Sequence, residues 1–131
     1  MPTTTTRPPA RAERDQNPPD IATMRAAVDR LLDPDAAPEA LPLDAAGLET
    51  LTLQLRGHIQ LLLPEIEQAA RLLPKASIPR YCLLACAGEA RERLRAEPSE
   101  RFGGAVGLAR RLARALNALC DHYEQAAGLE R

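Results

Sequence analysis

From Phe102 to Ala127 the residues Phe102, Val106, Ala109, Ala113, Leu116, Cys120, Tyr123 and Ala127 recur at alternating steps of four and three. That spacing traces one face of an α-helix with about 3.6 residues per turn. A second row, Leu108, Leu112, Ala115 and Leu119, runs beside the first. Together they make an apolar stripe wide enough to face two partner helices rather than one. Gly103, Gly104 and Gly107 weaken helix propensity at its start, which suggests a close helix approach or a late start.

The same reading extends backwards. Asp44 caps a long pattern in which Leu48, Leu51, Leu55, Ile59, Leu62, Ile66, Ala69 and Leu73 recur at helical steps. Within it TLTLQL alternates with period two, but no second strand exists to pair with it, so helix prevails. Pro64 deletes the bond to the Gln60 carbonyl, and Gly57 lies two turns earlier. A kink, or a break into two shorter helices, is expected around residues 60–64. Pro74 ends this element, and the next begins at Ser77 or Ile78 with Pro79 in its first turn. Its first half, YCLLACAG, is apolar on nearly every side; its second half, EARERLRAE, is charged outside the stripe of Leu83, Ala87, Ala90 and Leu94. Glu89 and Arg93, four apart, support the exposed face, and Pro98 stops the helix.

A chain of 131 residues has room for one domain. Aromatic residues make up only 2%, so leucine and alanine must build the core, and both favour helix over strand. Residues 1–19 hold no large apolar side chain beyond Met1 and read as a disordered tail. Asp20 caps a short amphipathic helix over residues 20–33, with Ile21, Met24, Val28, Leu31 and Leu32 on one side. Prolines 34, 38 and 42 make residues 34–43 a semi-rigid linker, which leaves 44–131 as the bundle core. The predicted fold is all-α: an antiparallel up-down bundle of three long helices, the first kinked at Pro64, with the short helix covering one seam.

A formal net charge of −1 provides no global field for nucleic acid or an anionic membrane. Sixteen arginines stand against the single Lys75, an imbalance that genomic composition explains. Three cysteines are too few, and odd in number, for a disulfide framework. No apolar run reaches the roughly 18 residues of a membrane span, and the N-terminus lacks a signal-peptide apolar core, so a soluble, cytoplasmic protein is expected. A Gly-rich phosphate loop after a strand, HExxH and a nucleophile elbow are all missing, and no cofactor is expected.

The stretch LCDHYE gathers a thiol, a carboxylate, an imidazole and a phenol. Helical register separates them: Cys120 and Tyr123 join the core stripe, His122 edges the second row, and Asp121 points to solvent beside Asn117. A site assembled across helices is a different matter. Cys82 and Cys86, one turn apart, together with Cys120 and His122, could approach the tetrahedral set that zinc prefers; buried thiols acting as small hydrophobes are the simpler reading. His58 shares the face of Leu51, Leu55 and Leu62 and should lie about 20 Å along the bundle from His122, too far to share a metal. A polar pocket of His58, Tyr81, Arg56 and Arg80 is the candidate site for a small-molecule ligand. Between Arg91 and Arg114 seven arginines stand against three glutamates. A run of stacking platforms is absent and the rest of the chain is acidic, so a solvated face is preferred to a nucleic-acid surface, with a phosphate or carboxylate ligand of a partner as the remaining alternative.

The segments LRGHIQLLLPEIE, PRYCLLACAGEARERLRAEP and ARRLARALNALCDHYE resemble a family of small actinobacterial proteins with a domain of unknown function, labelled as natural product biosynthesis proteins. The resemblance covers about Leu48 to Glu124. It implies a setting near secondary-metabolite genes and no established reaction, and it carries no functional residues across. The expected function is a non-catalytic helical accessory or interaction protein, acting through a protein partner or self-association. A small-ligand binder or small enzyme is the alternative, and a metal sensor the third reading.

Overall fold

The computed structural model describes residues 18–32 and 44–129. Most of the expected tail (1–17) and the whole expected linker (34–43) lie outside them. Four α-helices follow one another: α1 (Ile21–Leu32), α2 (Ala45–Arg71), α3 (Ile78–Arg95) and α4 (Gly104–Leu129), with a 3-10 turn at Glu100–Phe102 before α4. No strand occurs among the described residues, and TLTLQL is helical.

Each of the first three helices starts on a side-chain oxygen that accepts one of the otherwise orphaned backbone N–H groups. The Asp20 carboxylate accepts from the Thr23 N–H at 3.1 Å and from the Thr23 hydroxyl at 2.7 Å. These bonds favour the charged carboxylate and hold its pKa below the usual carboxylate range, the hydroxyl bond contributing most. Asp44 accepts from the Gly47 N–H at 2.6 Å, and Ser77 from the Arg80 N–H at 3.3 Å. Pro64 does not divide the chain: α2 continues through it as one helix of 27 residues.

The core is an aliphatic layer shared by all four helices. Leu51, Leu55, Ile59, Leu62 and Ile66 of α2 meet Leu112, Leu116 and Leu119 of α4, all essentially closed to solvent. Each such leucine contributes about 1.5–3 kcal/mol relative to an exposed one. Met24, Val28 and Leu31 place α1 in the same cluster, where it packs more on α4 than on α2. The α3 helix buries only Leu83, Ala87 and Ala90, which makes it the least embedded of the long helices.

The start of α4 departs from the sequence expectation. Phe102 and Val106 head the apolar row but are 59% and 40% exposed, and burial begins at Leu108 and Ala109. The glycines explain the shift. Gly103 and Gly104 take φ of +90° and +65°, in the left-handed region open to glycine. The helix therefore starts after the row does. Gly107 meets the Phe102 carbonyl so closely that a Cβ there would stand 1.9 Å from its oxygen. The close approach is to the helix's own N-terminal turn, not to a neighbouring helix.

Candidate functional site

Both arginines expected to line a pocket donate to backbone carbonyls at helix ends. Arg56 reaches from α2 to the C-terminal end of α3, where it donates to the carbonyls of Leu94 and, at 3.0 Å, Ala96. Those carbonyls have no partner within their own helix and carry the negative end of its dipole, so a guanidinium is well placed there. Arg80 donates to the Leu73 carbonyl at 3.3 Å across the turn between α2 and α3. Tyr81 is 72% exposed on the outer side of α3. His58 is half-buried and borders a depression of about 570 Å³ facing α1, with Thr23, Ala27, Arg30 and Gln54. Arg56 borders a different one, with Leu48, Thr52 and Leu108. His58, Tyr81, Arg56 and Arg80 thus serve separate surfaces, because α1 and the end of α3 supply neighbours that α2 alone does not reveal.

The thiols also divide. Cys82 is exposed, Cys86 half-buried and Cys120 fully buried. Burial pushes the Cys86 and Cys120 thiols up to about 11. At neutral pH both remain uncharged and behave as small apolar groups. Cys82 and His122 border one shallow depression, beside Leu73, Ile78, Leu83 and Ala126. Among the described residues no three His, Cys, Asp or Glu side chains are grouped to hold a metal ion.

Asp121 is exposed beside Asn117, as its register requires, and both serve a residue that periodicity did not single out. Arg25 of α1 donates to Asn117 Oδ1 at 2.8 Å, Asp121 Oδ1 at 2.9 Å and Glu124 Oε1 at 2.5 Å. Its acidity is weakened further by Glu124 first and Asp121 second. The signal was present: Asn117, Asp121 and Glu124 put one acceptor on each successive turn of a single helix face.

What remains without a structural task is the outer face of α3. Ile78 and Tyr81 are 76% and 72% exposed, and Leu84, Cys82 and Ala85 lie open beside them. Leu72, at the end of α2, is also exposed. The one charge between Ile78 and Gly88 is Arg80, already turned to the Leu73 carbonyl.

Fold and surface together define an all-helical protein in which several charged side chains cap or cross-link helices, and whose two most exposed large apolar residues, Ile78 and Tyr81, lie on one helix. The chain belongs to DUF6415, a family of unknown function that matches over residues 22–128. The match takes in α1, which the sequence resemblance left out, in keeping with the place of Met24, Val28 and Leu31 in the core. No curated protein and no solved structure matches the chain. Among the described residues no helix is long and apolar enough to cross a membrane.

Proposed function

We propose that this protein is a non-catalytic helical interaction module that associates with a second copy of itself through the outer face of α3. The observation that carries the reading is the exposure of Ile78 and Tyr81 at the apolar end of that helix. Such side chains lose water favourably when covered, and no free charge on this face needs a counter-ion. A face of that kind is matched by an identical one across a twofold axis. It is small beside the 20–30 or so residues that each partner of a standard interface contributes, so association is weak and concentration-dependent.

The architecture we infer is an up-down bundle bent at Pro64. The antiparallel run of α2 and α3 is supported by the order of contacts, since Arg56 meets the end of α3 whereas Glu67, further along α2, pairs with the earlier Arg91. The bend is inferred from Pro64, which has no N–H for the Gln60 carbonyl. A role near natural-product biosynthesis in an actinobacterium rests on the resemblance of the three quoted segments. A cytoplasmic setting is favoured by the exposed free thiol of Cys82.

Sedimentation velocity over a range of concentrations tests the proposal. The chain should shift from monomer to dimer as concentration rises, and Ile78→Glu with Tyr81→Glu should hold it monomeric. Acidic residues near a helix N-terminus are favourable, so the variant should fold. A wild-type chain that stays monomeric at the highest concentration, or a dimer indifferent to the substitutions, overturns it. A second reading, a small-ligand binder, is favoured by the α1–α2 depression, where Thr23, Arg30, Gln54 and His58 edge an apolar floor. Native mass spectrometry would show its retained ligand as added mass.

A further inference from the structure

The arginines fall into two groups. On the second half of α3 each has a glutamate: Arg91 pairs with Glu67 of α2, Arg93 with Glu89 at 3.7 Å and Arg95 with Glu92 at 2.8 Å. On α4 that pattern breaks. Arg110 and Arg114 are exposed, and among the described residues neither has an ion pair or a hydrogen bond. The positions three and four residues away from them hold no carboxylate. Instead the two cations stand one turn apart, an arrangement that destabilises a helix. A local rule broken without a compensating contact is what a binding position looks like.

The neighbouring residues continue the surface. Phe102, largely exposed, lies under two guanidinium groups, Arg111 at 5.4 Å and Arg101 at 5.7 Å from the ring centroid. Arg111 also donates to the Phe102 carbonyl at 2.9 Å, which fixes the turn. Phe102, Val106, Arg110 and Arg114 line one shallow depression of about 330 Å³ whose rim holds no acidic side chain. They recur every four residues along about 18 Å of chain. The row is apolar at one end and cationic at the other.

We propose that this row is the docking surface for an acidic segment of a partner protein. Carboxylates of the segment would meet Arg110 and Arg114, and an apolar side chain of it would cover Phe102 and Val106. Charge complementarity identifies the partner's chemistry, and the separation of apolar from cationic ends favours a peptide over a nucleic acid. A single strand needs stacking platforms along a cationic track, whereas this face has one ring, already flanked by guanidinium groups. The surface involves none of the α3 residues invoked above, so it stands or falls independently of self-association.

The test is fluorescence anisotropy of the full chain with a short labelled peptide of glutamates interrupted by leucines. Binding should weaken as salt rises. Arg110→Gln with Arg114→Gln should weaken it about tenfold, while Arg95→Gln leaves it unchanged. Because the double variant removes a like-charge pair, its melting temperature should hold or rise, which separates lost binding from lost fold. Phe102→Ala should weaken binding as well. The proposal is overturned if the peptide does not bind or if its glutamine counterpart binds equally well. It is also overturned if an oligothymidylate of similar length binds more tightly.

Discussion

Replacing Arg25 by methionine keeps an apolar stem on α1 while removing the guanidinium that ties it to Asn117, Asp121 and Glu124. The side chains of Asp121 and Glu124 are 56% and 55% exposed, that of Arg25 31%. The carboxylates left behind therefore regain water readily, and solvent screening limits each ion pair to about 0.2–1 kcal/mol. The partly buried bond to Asn117 adds about 1 kcal/mol. Arg25→Met should cost about 1.4–3 kcal/mol in all, a fall in Tm of roughly 5–12 °C for a chain of this size. Urea unfolding followed by circular dichroism, at low salt and near 1 M salt, measures the gap between wild type and variant. At high salt the screening length drops to about 3 Å, so the ion-pair share should shrink while the Asn117 share survives. A gap that ignores salt would refute the electrostatic reasoning. A loss above about 4 kcal/mol would mean that the variant strands a buried charge, contrary to the exposures given.

Two glycine substitutions should move stability in opposite directions. Gly107→Ala forces a methyl group onto the Phe102 carbonyl and should cost about 1–3 kcal/mol, whereas Gly57→Ala meets nothing within 4 Å inside α2 and should gain about 0.5–1 kcal/mol; thermal melts of the pair check both signs. The thiols should label in order of exposure: alkylation of the native chain followed by mass spectrometry should find Cys82 modified promptly, Cys86 slowly and Cys120 only after unfolding. Since Cys86 and Cys120 are raised from 9.0 to about 11, the fold favours their neutral forms; the stability this gives is present below pH 9 and is lost as pH rises through about 11. Labelling of Cys120 at the rate of Cys82 would contradict the burial.

The helices were legible because each combines an apolar repeat with a capping oxygen, and both signals are local. Glu89 with Arg93 is local in the same way, four positions apart on one helix. What eluded the sequence is whatever depends on which elements adjoin. YCLLACAG is apolar all round, so its buried side could be taken only from the charged second half of the helix, whose stripe continues back to Leu83 and Ala87. The structure buries both, and that so much apolar surface stays outside, Ile78 and Tyr81 above all, was not legible. The direction of His58 depends on α1, which reaches it across residues 33–43 rather than along α2. The same distinction separates the paired from the unpaired arginines. A helix that supplies its own counter-ions, as α3 supplies Glu89 and Glu92, has no electrostatic need of a partner. A helix that places Arg110, Arg111 and Arg114 within five positions and no carboxylate among them does have that need, and the described residues of its own chain do not meet it for Arg110 or Arg114. The lack of local pairs was therefore readable from sequence, but only the packing of α1, α2 and α3 could show that no distant acid among the described residues compensates.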